Sequence, residues 1–163
     1  MQQKFFSVLW DEFHRDCRAL VWQLAELPQS KAKSWKGLVA ITRGGLVPAA
    51  IVARELDIRL VETLCCISYS DDKQQNRELK ILKGLDAIGD GKDWLIVDDL
   101  VDSGKTVAAI RQMAPKAHIA TVYAKPLGQP LPDTFVTEVS QDTWVLFPWD
   151  TQLTDAPPII KQI

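Results

Sequence analysis

The stretch Leu95-Ile96-Val97-Asp98-Asp99-Leu100-Val101-Asp102-Ser103-Gly104-Lys105-Thr106 decides how this chain folds. Its first part, Trp94–Val97, reads as a buried strand that delivers two adjacent carboxylates to its end. The Ser-Gly-Lys-Thr turn then feeds an amphipathic segment, Thr106–Met113, which Pro115 closes as a helix. Working outward, Trp35–Thr42 is a second apolar run, entering Arg43-Gly44-Gly45, and Leu46–Leu56 has helical spacing with Pro48 in its first turn. Leu60–Tyr69 and His118–Ala124 read as further strands, and Trp10–Leu27 as a helix stopped by Pro28. Strand and helix alternate, so the expected class is α/β, a mostly parallel central sheet flanked by helices. Asp71–Lys83, crowded with charged and amide side chains, reads as an exposed loop or flap. The region from Pro126 to Ile163 holds six prolines and reads as a small irregular hood rather than another βα unit.

Bulk properties narrow the classes. At 163 residues, with 47% hydrophobic and 25% charged residues, one soluble domain spanning 1–163 is expected, its core near 35–125 and its hood and tail near 126–163. A net charge of −2 supplies no basic footprint for nucleic acid. No apolar run is long enough to span a bilayer, and no signal peptide follows Met1, so a cytoplasmic protein is expected, at most peripheral to a membrane. Cys17, Cys65 and Cys66 form no CxxC pair and read as free thiols.

The chemistry of the quoted segment follows from its residue types. Strand ends in open parallel sheets are where ligands bind. Asp98, Asp99 and Asp102 offer carboxylate acceptors suited to sugar hydroxyls, while the turn and helix N-terminus offer N–H donors suited to phosphate. Gly104-Lys105-Thr106 could end a nucleotide-binding P-loop, but that loop needs glycine where this chain has Asp99.

This arrangement of apolar strand, two acids, spacer and Ser-Gly-x-Thr resembles the phosphoribosyl-diphosphate (PRPP) motif of the type I phosphoribosyltransferases. Trp35-Lys36-Gly37, Arg43-Gly44-Gly45-Leu46-Val47-Pro48, Arg54-Glu55-Leu56, Asn76-Arg77-Glu78-Leu79-Lys80, Ala124-Lys125-Pro126 and Gln141-Asp142-Thr143-Trp144 extend the resemblance, in family order, to its purine-salvage members. The resemblance implies a magnesium-dependent transfer of phosphoribosyl from PRPP to a 6-oxopurine, guanine or xanthine and also hypoxanthine, by a homo-oligomer, a tetramer in many relatives.

By the same resemblance, Asp98 and Asp99 hold the ribose hydroxyls, Asp99 also serving Mg2+, within a PRPP site running through Leu100, Val101, Asp102, Ser103, Gly104, Lys105 and Thr106. Arg43 and Gly44 would meet the diphosphate at a non-proline cis peptide beside Arg43, and Arg77 would join them from the flap. Asp102 is implied as the catalytic acid–base group at the purine. Lys125 would donate to its 6-oxo group, Trp144 would stack on it, and the Val145 backbone would read its edge. Lys105 is usual in hypoxanthine-preferring relatives, which keeps that preference as an alternative. A PRPP-sensing regulator of the same fold is the alternative from another class, but it calls for a nucleic-acid-binding face this chain lacks.

Overall fold

The computed structural model describes residues 4–27, 35–69, 78–150 and 159–161. Six strands form the main sheet in the order β4-β3-β2-β5-β6-β7. They are β2 (Gly37–Thr42), β3 (Val61–Tyr69), β4 (Glu78–Lys83), β5 (Trp94–Val101), β6 (His118–Ala124) and β7 (Thr134–Glu138). All neighbouring pairs are parallel except β3 with β4. Among the described residues three helices flank it: α1 (Trp10–Ala25), α2 (Leu46–Glu55) and α3 (Lys105–Met113). A separate parallel pair joins β1 (Lys4–Ser7) to β8 (Thr143–Leu146). This is the mostly parallel α/β sheet flanked by helices that the sequence implied.

The central strands are apolar on both faces because both are covered. Leu38, Ala40, Leu95 and Val97 pack with Phe13, Leu20 and Leu24 of α1 and Val52 of α2. Val39, Ile41, Ile96 and Ile119 pack with Val107 and Ile110 of α3. The buried positions of α1, Phe13, Cys17, Leu20 and Leu24, keep the helical spacing that places them on one face. Cys17 is an inert filler there: burial first, then the charge of Asp16, pushes its thiol up to about 12. Asp16 is buried yet satisfied, accepting from the Tyr123 hydroxyl at 2.6 Å and from Arg15 at 3.0 Å, and so ties α1 to β6. No helix among the described residues is long and apolar enough to cross a membrane.

Three sequence expectations change. Glu78–Lys83, expected within a loop, is a strand antiparallel to β3, although its neighbours 70–77 lie outside the described residues. The hood is more regular than its prolines suggest: β7 extends the main sheet and β8 pairs with the N-terminal β1. The prolines Pro126, Pro130 and Pro132 fall between β6 and β7, where no ladder N–H is needed. Finally, β5 does not stop at Val97 but continues through both acids to Val101.

That continuation makes a crevice. From β2 the chain order steps outward to β3 on one side, while β5, β6 and β7 run outward on the other, so strand order reverses between β2 and β5. Pairing of β2 with β5 ends at Ala40 and Val97, whereas β5 with β6 continues to Val101 and Ala124. Beyond Val97, β5 is open on its β2 side, and Asp98 and Asp99 stand at that opening.

Candidate active site

Two loops meet at the crevice. After β2 the Thr42–Arg43 peptide is cis, as the resemblance implied. The chain then turns through Gly44 and Gly45 into α2, with Gly45 N–H donating to Ile41 O at 2.8 Å. A Cβ on Gly45 would lie 2.5 Å from Ile41 O and 2.6 Å from Val97 O, and one on Gly44 would strike the Asp99 carboxylate. Both positions are glycine because this turn presses directly on β5.

On β5, adjacent side chains take opposite faces. Asp98 opens onto a cavity of about 340 Å³ lined also by Leu79, Ser103, Gly104, Lys105 and Thr106. Asp99 turns the other way, against Gly44. Both carboxyls sit well above the usual carboxylate range. Burial is the first cause for each; the charge of Asp99 adds to it for Asp98, and that of Asp150 adds to it for Asp99, which reaches about 6. The crevice thus holds more buried negative charge than it neutralises.

That excess has a measurable consequence. A carboxyl with a raised folded pKa leaves stability intact below about pH 4 and loses it as pH rises toward about 6. Asp99→Asn removes the loss, so the ligand-free variant should be more stable than wild type by about 2 kcal/mol at pH 8, allowing for partial solvent exposure. At pH 4 the two should unfold together. Urea unfolding of both proteins at the two pH values checks this.

The rim of the cavity at the start of α3 is built from backbone. Gly104, at φ 79°, begins α3 with no side-chain cap, so the first-turn N–H groups face the cavity without a capping partner. Gly128 packs on the same loop: a Cβ there would lie 2.7 Å from Asp102 O. Arg43 is exposed at the other rim, and its charge pulls the Asp150 carboxyl down against the burial that raises it. Asp150 therefore belongs to the crevice.

The third part of the site lies at the end of β6. Lys125 is buried, at 5% exposure, an unusual place for an ammonium. It donates to Asp102 Oδ2 at 3.1 Å, and Gln141 donates to Asp102 Oδ1 at 2.7 Å. Gln141 had no role in the sequence reading; only its distance in the chain hid it, since a lone glutamine carries no local signal. It heads the turn into β8, so Trp144 follows within a few residues. Trp144 is 53% exposed, whereas Trp149 packs in the aromatic group of Phe13 and Phe147, and Trp94 is buried over Gly37. The Val145 side chain is buried, so only its backbone is available to a ligand.

The structure therefore brings Arg43, Gly44, Asp98–Thr106 and Lys125 to one sheet edge, with Trp144 and Val145 on the adjoining β8. Arg77 lies outside the described residues. His14 and His118 stay out of the site; His118 shares a 2.8 Å hydrogen bond with Thr134 and packs edge-on to Trp35. Among the described residues no cluster of three or more His, Cys, Asp or Glu side chains could enclose a metal alone.

Comparison with known proteins gives a consistent picture. The family model described as phosphoribosyl transferase domain matches residues 9–156. The chain is 56% identical over 158 residues to the xanthine-guanine phosphoribosyltransferase of Desulfotalea psychrophila, covering 97% of this chain and 94% of that one. Among solved structures, the purine phosphoribosyltransferase of Pyrococcus horikoshii superposes with a TM-score of 0.73 at 26% identity, covering 96% of this chain and 100% of that one. The xanthine-guanine-hypoxanthine phosphoribosyltransferase of Helicobacter pylori gives 0.73 at 27%, covering 91% and 96%.

Proposed function

Because the chain belongs to the phosphoribosyltransferase family, we propose that it is a purine-salvage enzyme that moves the 5-phosphoribosyl group of PRPP onto guanine or xanthine, and also hypoxanthine. Products are the nucleoside monophosphate and diphosphate. The observation that carries the base assignment is the buried Lys125 held on Asp102 at the end of β6. An ammonium is a donor only, so it meets a 6-oxo group well and a 6-amino group badly.

Each part of the crevice has a role in this reading. The backbone N–H groups of Ser103–Thr106 take the 5-phosphate at the α3 N-terminus. Asp98 and Asp99 accept from the ribose hydroxyls. Arg43 and the Gly44 N–H take the departing diphosphate, with Arg77 as a further contact from the flap. The C1′–oxygen bond to diphosphate breaks as a purine nitrogen bonds C1′, and Asp102 accepts the proton the imidazole ring releases. Two donors, Lys125 Nζ and Gln141 Nε2, already face its carboxylate and hold it in place. Trp144 covers the purine face and the Val145 backbone meets its edge.

The donor set also fits Mg2+. Two partly buried carboxylates of raised proton affinity stand where a cation would relieve them, with Asp99 the ligand and PRPP oxygens completing the sphere. Bound there, the ion would offset charge developing on the diphosphate. Self-association is part of the same reading, supported by apolar side chains left exposed along one end of the sheet, Leu60, Val61 and Leu82. A cytoplasmic setting fits the reaction.

The test is nucleotide formation from PRPP and Mg2+ with guanine, xanthine, hypoxanthine and adenine in separate reactions. Turnover of the oxopurines with adenine inert is expected. Adenine turnover at a comparable rate would overturn the base assignment, and tight PRPP binding with no turnover of any base would favour the sensor reading.

A further inference from the structure

We propose that Gln141 is a positioning residue that holds the Asp102 carboxylate in its reactive orientation. The inference rests on the reading of Asp102 as the proton acceptor. Asp102 is an exposed side chain on a loop, with 55% of its side chain open to solvent. Left alone it would sample several rotamers, and its carboxylate would face the purine only part of the time. Lys125 grips one oxygen, but it must turn part of its donor capacity to the incoming base. A second anchor is therefore needed on the other oxygen, and Gln141 supplies it.

The orientation of the Gln141 amide is fixed by its other end. Its Oε1 accepts the Leu127 backbone N–H at 3.0 Å, so its Nε2 must face Asp102 Oδ1, at 2.7 Å. The flipped amide would set N–H against N–H and oxygen against carboxylate, losing both bonds. Leu127 lies in a turn that is itself closed, with Gly128 and Gln129 N–H groups both donating to Lys125 O at 2.9 Å. The anchor is thus held by the same turn that carries Lys125. A neutral amide donates without adding a charge, so it orients the carboxylate without the neutralisation that a lysine or arginine would bring.

Two variants test this. Gln141→Met keeps the length and removes both polar groups; Gln141→Glu keeps the shape and sets a carboxylate against Asp102. In steady-state assays with guanine, kcat should fall about 10- to 100-fold in Gln141→Met and further in Gln141→Glu, with KM for PRPP within about twofold of wild type. If kcat stays within about threefold in both, or kcat and KM for PRPP worsen together, the proposal is overturned. A second measurement does not depend on turnover. In the ligand-free protein the Gln141 side-chain amide resonances should shift in Asp102→Ala; if they stay put, the contact is absent and the proposal fails, whatever the substrate. Wild-type protein that turns over no purine would instead overturn the proposed function, leaving the amide shift to decide the contact.

Discussion

Asp102→Asn should lower kcat with guanine by about 10²- to 10⁴-fold, the usual scale for losing a general base. The amide keeps the size of the carboxyl, so the loop and its packing on Gly128 should persist. The N–H groups of the α3 N-terminus are backbone and stay where they are, and so do Asp98 and Asp99. PRPP affinity should therefore remain within a few-fold of wild type, measured by calorimetry with Mg2+. A loss confined to kcat separates proton transfer from sugar binding. Equal losses in both would mean that Asp102 supports the phosphate loop rather than the chemistry.

Lys125→Met should collapse base selection. A site that hydrogen-bonds its substrate can reject an analogue lacking the matching group by roughly 10⁴ to 10⁵. With the ammonium gone, the 6-oxo and 6-amino bases should approach one another in kcat/KM, chiefly through a fall in guanine turnover. Stability should not suffer. The ammonium is buried while its partner Asp102 is exposed, so removal leaves no buried charge behind, and Met fills the apolar stem space. A variant that unfolds at the wild-type temperature but has lost preference between guanine and adenine is the expected result. Retained preference would move the discriminating donor elsewhere, with the Val145 backbone the first place to look.

How much of this could be read from the sequence differs by part. The β5–turn–α3 unit was legible because everything it needs is contiguous: apolar strand, acids, glycine, helix. The Arg43-Gly44-Gly45 turn was legible as a tight loop. Its reason was not, since only the fold shows Gly44 against Asp99 and Gly45 against the Val97 carbonyl. β5 runs past Val97 although two charges usually end a buried strand; they persist here because the pairing of β2 with β5 ends at that level and opens one side. β1 and β8 escaped because each is four residues long and their pairing joins distant ends of the chain, with Lys4 bonded to Asp142. β7 shows an even, half-buried pattern with no alternation to betray it. The parts of the site that come from one segment were thus readable, and the contact assembled across segments, Gln141 on Asp102, was not. The cis peptide came from resemblance alone, because no residue pattern specifies it.

The products of a single reaction test the phosphoribosyl transfer most directly. Wild-type protein is mixed with PRPP, Mg2+ and guanine, and nucleotide and diphosphate are quantified together over time. Appearance of GMP and diphosphate in equal amounts, abolished by chelating the metal, is the result expected. Diphosphate released without nucleotide, or PRPP bound and left intact in the presence of every oxopurine, would contradict it.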